Sequence, residues 1–177
     1  LLESKIVVVT GGASGIGEAT AKAFKAEGAE VFIFDKDNLE LKKTADLLGV
    51  IGLCCDVTNE KDVDSAFNTV IREAGGVDIV VSNAGAAWQG KIGDVNNDIL
   101  RKSFELNFWG HQIVAQNAVR VMRLQNTGGC LLFNTSKQAI NPGRDFGPYG
   151  LPKAATLFLM KQYALDYAQY NIRSNAV

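Results

Sequence analysis

Thr10-Gly-Gly-Ala-Ser-Gly-Ile-Gly17 follows Lys5-Ile-Val-Val-Val9, a β-branched run with no charge after Lys5. Such a run reads as a strand buried on both faces, the kind found in parallel sheets. Next comes Glu18-Ala-Thr-Ala-Lys-Ala-Phe-Lys-Ala-Glu27-Gly28, rich in good helix formers, with Gly28 placed to end the helix. The glycines therefore sit on a strand-to-helix turn, the context that separates a dinucleotide-binding loop from a chance cluster. Gly11 permits a tight turn, Gly15 lets backbone approach a pyrophosphate, and Gly17 lets the helix pack on the strand. Ser14 and Ile16 complete the expected cofactor loop at a helix N-terminus whose free N–H groups and positive dipole face the phosphates.

Outward from this loop, strands and helices alternate without a long linker or repeat. Glu30–Asp35 reads as a strand and Asn38–Leu48 as a helix capped by Asp37 or Asn38. Val50–Cys55 reads as a third strand. Glu60–Ala74 is an amphipathic helix with Val63, Ala66, Phe67, Val70 and Ile71 on one face, stopped by Gly75-Gly76. Val77–Ser82 and Cys130–Thr135 read as further strands. Asn97 to about Leu124 and Tyr149–Tyr170 read as long helices, and 86–95 and 137–148 as loops. This alternation predicts one α/β domain over residues 1–177: a Rossmann-type, doubly wound parallel sheet with helices on both faces and right-handed crossovers. Ligands then lie at the carboxyl ends of the strands, near the point where the strand order reverses. The sequence begins at Leu1, and Ile172-Arg-Ser-Asn-Ala-Val177 reads as the opening of a strand, so both ends are expected to be cut and the C-terminal part of the fold missing.

Composition narrows the function classes. A formal charge of −1, from 18 basic and 19 acidic residues, suggests neither a nucleic-acid nor a membrane surface. No apolar run approaches the roughly 20 residues needed to span a bilayer. Cys54, Cys55 and Cys130 are odd in number and argue for a reducing, cytoplasmic compartment rather than a disulfide framework. One His and no Cys-x-x-Cys give no reason to expect a metal.

The residues that carry chemistry all fall at strand ends or on the last long helix. Asp35 lies 18 residues past Gly17, where an acid accepts hydrogen bonds from adenosine ribose hydroxyls and repels a 2′-phosphate. That favours NAD over NADP, with Lys36 a competing signal. Asp56-Val57 and Asn83-Ala84-Gly85 close two other strands, and small residues there let a cofactor ring come close. Tyr149 and Lys153 are four apart on one helix and share a face. A lysine a few ångströms from a phenol favours the phenolate, which can exchange a proton with a carbinol or carbonyl oxygen. Ser136, 13 residues before Tyr149, can hydrogen-bond the same oxygen.

Thr10-Gly11-x-x-x-Gly15-x-Gly17, Asp56-Val57, Asn83-Ala84-Gly85, Asn107, Ser136 and Tyr149-x-x-x-Lys153 together resemble the short-chain dehydrogenase/reductase family over nearly the whole chain. The resemblance implies an NAD(P)-dependent oxidoreductase with a tetrad of Asn107, Ser136, Tyr149 and Lys153. Asn107 would hold a kink and position the lysine through water, and Lys153 would also bind the nicotinamide ribose. It implies a homodimer or homotetramer paired through the two long helices, acting on a small-molecule alcohol or carbonyl. One departure is Pro152, where the family mostly has Ser or Ala, so the helix is expected to begin close to Tyr149. The stretch Phe133–Lys153 is similar to the dehydrogenase half of bifunctional proteins that join a sugar-phosphate aldolase to a short-chain dehydrogenase acting on lactaldehyde. Two other classes share the fold. A cofactor-sensing regulator tends to lose the Tyr–Lys pair, and an epimerase or dehydratase of the extended branch has different glycine spacing. Trp88, Gln89, Arg144 and Asp145 are expected to border the substrate.

Overall fold

The β-branched runs of this chain, described over residues 1–177 by a computed structural model, pair as six parallel strands in the order β3-β2-β1-β4-β5-β6. The strands are β1 (Ile6–Thr10), β2 (Glu30–Asp35), β3 (Ile51–Cys54), β4 (Ile79–Ser82), β5 (Gly129–Phe133) and β6 (Ile172–Ala176). Helices α1 (Gly15–Ala26), α2 (Asn38–Leu48), α3 (Glu60–Ala74), α4 (Asn97–Phe104), α5 (Gly110–Gln125) and α6 (Gly147–Tyr167) connect them. The run at residue 172 does form a strand, with Ile172 beside Gly129 and Ala176 beside Phe133.

Alternation within each buried strand feeds two cores. Val7 and Val9 of β1, with Val31 and Ile33 of β2, pack with Ala21 of α1 and Leu41 of α2. Val8, Phe32 and Phe34 face the other way, onto Val63, Phe67, Val114 and Met122 of α3 and α5. Successive strand side chains point to opposite faces, so a continuous apolar run needs a layer of helices on both sides. In register, Val8 stands between Phe32 of β2 and Val80 of β4. The strand order reverses on either side of β1, which opens a crevice beyond Thr10 and Ser82.

Local chemistry sets several helix ends. Asp37, rather than Asn38, caps α2, its carboxylate accepting the Leu39 and Glu40 N–H groups at 3.2 Å. Asn59 caps α3 likewise, and Gly49 and Gly75 end their helices at φ 62° and 87°. Other boundaries depart from the sequence expectation. Helix α1 begins at Gly15 rather than Glu18, so the glycine loop supplies the helix's own first turn. The expected helix 97–124 is interrupted at Glu105–Trp109 by a π-helical segment centred on Asn107. Helix α6 starts at Gly147 with Pro148 in its first turn, then tightens to a 3₁₀ turn over Ala168–Tyr170. The loop 137–148 opens with a 3₁₀ turn at Lys137–Ala139. Pro152 is not in the first turn but is the sixth residue of α6, and it is buried. Its missing N–H leaves the Pro148 carbonyl without a helical donor, a cost that the packing of a 21-residue helix offsets.

Candidate active site

The crevice beyond β1 and β4 is built by short hydrogen bonds between distant residues. The Thr10 hydroxyl accepts the N–H groups of Asn83 and Ala84 at 2.9 and 3.1 Å. Asn83 donates through Nδ2 to Thr10 O at 3.0 Å and accepts from Asn134 Nδ2 at 2.7 Å. The ends of β1, β4 and β5 are thus latched together under the glycine loop. Gly11 sits at φ 63°, and a Cβ there would lie 2.9 Å from the Ala84 Cα. At Gly17 a Cβ would overlap the Gly11 carbonyl oxygen and come within 2.8 Å of Asn83 Nδ2. Gly15, at φ 57°, is different: a Cβ there would meet no atom within 4 Å. Space is kept open over Gly15, while Gly17 is demanded by packing. Gly17→Ala should therefore destabilise the fold by about 1–3 kcal/mol or more, read as a lowered unfolding midpoint. An unchanged midpoint would refute the packing argument.

The first N–H of α1 to bond back is that of Glu18, to Ser14 O at 3.2 Å, and Ser14 makes no side-chain cap. The N–H groups of Gly15, Ile16 and Gly17 are left at the positive end of the helix, open to an anion. Ser14, Gly15 and Ile16 are exposed and line a cleft of about 300 Å³ with Gly11, Asn83, Gly85, Ala86, Tyr149 and Lys153. A second recess, about 120 Å³, shares Gly11 and Gly85 with it and is walled by Asp35, Lys36, Asp56, Val57 and Ala84. The largest depression, about 630 Å³, lies elsewhere, between α5 and α6, and contains none of these residues.

In the smaller recess the Asp35 carboxylate accepts the Ala13 N–H at 3.2 Å and the Asp37 N–H at 3.1 Å, which ties it to the glycine loop. Burial pulls the Asp56 carboxyl up, but the Thr58 N–H and hydroxyl and the charge of Lys36 outweigh it and hold the group below its usual range. Cys55, whose thiol burial pushes up to about 12, is an inert wall here.

The larger cleft ends at Tyr149 and Lys153. Lys153 is 2 % exposed and its Nζ lies 5.8 Å from the Tyr149 ring centroid. Nζ donates to Asn134 O at 2.7 Å and lies 3.3 Å from His111 Nε2, leaving one N–H for the cleft. Burial pushes the amine down to about 8, so it is still a cation at neutral pH. Asn107, fully buried, clamps Ala86 in both directions: Nδ2 donates to Ala86 O at 2.8 Å and Oδ1 accepts the Ala86 N–H at 3.2 Å. Its backbone carbonyl accepts the Thr156 hydroxyl at 2.6 Å. Gly85 fits between, since a Cβ would stand 2.8 Å from Asn107 Oδ1 and 3.4 Å from Lys153 Nζ. Ser136 stands outside the lining of the cleft; its Oγ accepts the Gln138 N–H at 3.1 Å, so its own proton is free to donate elsewhere. The loops of Trp88-Gln89 and Arg144-Asp145 are drawn together by the Gly90 N–H bond to Asp145 O at 2.7 Å and a bridge from Gly90 to Phe146.

Sequence reading did not single out Ser82, His111, Asn134 or Thr156. His111 alone left a trace, as the one histidine of the chain and four residues past Asn107. The residues present fit a dinucleotide: unpaired N–H groups under an open Gly15, and carboxylates at the far recess.

A family model described as short chain dehydrogenase matches residues 5–177. Among curated proteins, the chain is 33% identical over 180 residues to the uncharacterized oxidoreductase YuxG of Bacillus subtilis, covering 98% of this chain and 26% of that protein. It is 36% identical over 182 residues to short chain aldehyde dehydrogenase 1 of Euphorbia lathyris, covering 99% and 63%. The chain therefore spans between about a quarter and two thirds of the length of these relatives. The crystal structure of a short chain dehydrogenase from Mycobacterium smegmatis superposes with a TM-score of 0.97 at 29% identity, over 99% of this chain and 76% of that one. These matches support the dehydrogenase family over the chain and do not show a fused aldolase.

Proposed function

Because the chain belongs to the short-chain dehydrogenase family, we propose that it transfers a hydride between a nicotinamide cofactor, preferably NAD, and a small secondary alcohol or its carbonyl. Residues 1–177 constitute one NAD(P)-binding domain in this reading. The observation that carries it is the buried Lys153 side chain beside Tyr149 at the end of the cleft that begins at Gly15. A bound nicotinamide ring supplies the hydride acceptor for alcohol oxidation, or the donor for carbonyl reduction. Tyr149 takes the alcohol proton as the carbinol hydride leaves, and returns it in the reverse direction. Lys153 stands beside the phenol and offers its remaining N–H to the nicotinamide ribose. Ser136 turns its free proton to the substrate oxygen. Asn107 keeps Ala86, and through it the cleft wall, in place. Asp35 and Asp56 hold the adenosine half, with Gly11, Ser14, Gly15, Ile16 and Gly17 on the pyrophosphate side and Val57, Asn83, Ala84 and Gly85 as close walls.

The reading is tested by mixing the full-length protein and NAD with pooled secondary alcohols, sugar alcohols and hydroxy aldehydes, and following absorbance of the reduced nicotinamide. Binding of NAD without turnover of any pool would count against catalysis. The substrate is a small hydroxy compound or a sugar-derived aldehyde such as lactaldehyde. Three free thiols fit a cytoplasmic setting, and no helix is long and apolar enough to cross a membrane.

A homodimer or homotetramer is part of the proposal. On α6, Tyr163 is buried and Leu159 and Tyr167 pack inward, whereas Leu151, Phe158 and Leu165 repeat every seven residues at 47%, 68% and 76% exposure. An apolar stripe at that spacing suits a second helix pair. Sedimentation of the full-length protein should give a dimer or larger, and Phe158→Glu should shift it toward monomer. A wild-type monomer at micromolar concentration would refute this.

A further inference from the structure

Behind the cleft, buried polar groups that the scheme above leaves idle form a line. Ser82 Oγ on β4 lies 2.6 Å from His111 Nδ1 in the first turn of α5, and His111 Nε2 lies 3.3 Å from Lys153 Nζ on α6. His111 is 1% exposed, and both ring nitrogens face protein groups. We propose that His111 is a positioning residue for Lys153, a neutral imidazole protonated on Nδ1 that donates to Ser82 and accepts an ammonium N–H of Lys153 on Nε2. The lysine's role rests on the dehydrogenase reading; the contact itself does not.

The tautomer follows from what each partner can do. An ammonium only donates, so the nitrogen that faces Lys153 presents a lone pair. The proton is then on Nδ1, and Ser82 Oγ accepts it. Burial first, and the Lys153 charge second, hold the imidazole well below its usual range, so it stays neutral. The groups shown against the pair are Ser82 from β4 and Asn134 after β5, with the Tyr149 ring of α6 beside Nζ. The Phe133 ring lies 6.1 Å from the imidazole. No carboxylate joins them, and none of the chain's ion pairs includes Lys153. The buried cation is held by two acceptors, the Asn134 carbonyl and the imidazole.

Removing the imidazole leaves one acceptor and destabilises the ammonium. The lysine then gives up its proton at lower pH than its present value of about 8, so the alkaline limb of kcat/KM for alcohol oxidation moves to lower pH. One hydrogen bond to a charged group corresponds to a shift of roughly one pH unit. His111→Leu should show it. His111→Gln, whose amide oxygen can take the place of Nε2, should bring the limb back toward wild type.

The closing experiment is ¹⁵N spectroscopy of the imidazole in the cofactor-free full-length protein, assigned by its loss in His111→Gln, together with the pH profiles of both variants. We expect a protonated Nδ1, a bare Nε2 and no titration as pH falls through the ordinary imidazole range. A proton on Nε2, a titrating imidazole, or identical limbs in His111→Leu and wild type would overturn the proposal. The spectrum decides even where His111→Leu fails to fold. It is read without turnover, so an inactive protein overturns the dehydrogenase reading while the imidazole still decides this one.

Discussion

Tyr149→Phe should lower turnover of the best alcohol by at least about 10²-fold, within the 10²–10⁴ that a positioned acid–base contributes, while NAD affinity barely changes. The substitution removes one hydroxyl and keeps the ring, so the Lys153 ammonium retains its neighbour 5.8 Å from the ring centroid. The Asn134 and His111 contacts of Lys153 do not involve the phenol and should persist. The loss should therefore appear in kcat, with KM and the fluorescence-monitored NAD dissociation constant close to wild type. Replacing Lys153 should differ, because that side chain stands beside the phenol and is proposed to hold the ribose: Lys153→Met should lose turnover and cofactor affinity together. A Tyr149→Phe protein with near-normal turnover would remove the phenol from the mechanism.

Asp35→Ser should collapse a cofactor preference that we expect to be about 10²-fold for NAD in kcat/KM. A carboxylate about 4 Å from a phosphate is repelled by up to roughly 4 kcal/mol per unit charge at an effective dielectric near 20, and each 1.4 kcal/mol is a factor of about ten. Lys36 reduces this, although its charge is also spent on Asp56 across the same recess. Serine removes the repulsion and the paired ribose acceptors, so NADP improves while NAD weakens. The Asp35 carboxylate also receives the Ala13 N–H at 3.2 Å, so part of the NAD loss would come from a looser glycine loop. Asp35→Asn separates the two effects in part: its one amide oxygen can still accept the Ala13 N–H without the charge while its NH2 faces the Asp37 N–H, so NADP should improve with a smaller loss of NAD than in Asp35→Ser. The measurement is kcat/KM for both cofactors in all three proteins. A wild type that prefers NADP, or an unchanged ratio in both variants, would show that Asp35 does not read the ribose.

The sequence by itself determined what short-range physics controls. Strand-to-helix punctuation at Thr10–Gly17, the α2 cap at Asp37 or Asn38 and the stop at Gly75 rest on hydrogen bonds and φ values within a few residues, as do the cap at Asn59 and the stop at Gly49, which the sequence reading did not single out. Hydrophobic period did the rest, placing α/β alternation and hence the parallel sheet. The spacing of Tyr149 and Lys153 was legible for the same reason, because a helix turns neighbours four apart onto one face. Only the tertiary structure decided the breaks and the wiring. The π segment at Glu105–Trp109 carries Asn107, which clamps Ala86, 21 residues away, and no local propensity signals it. Thr10 meets Asn83 across 73 residues and Lys153 meets His111 across 42, through a strand order that no local pattern specifies. The low proton affinities of Lys153 and His111 are products of that assembly, since desolvation depends on every atom packed around a group and not on its neighbours in the chain.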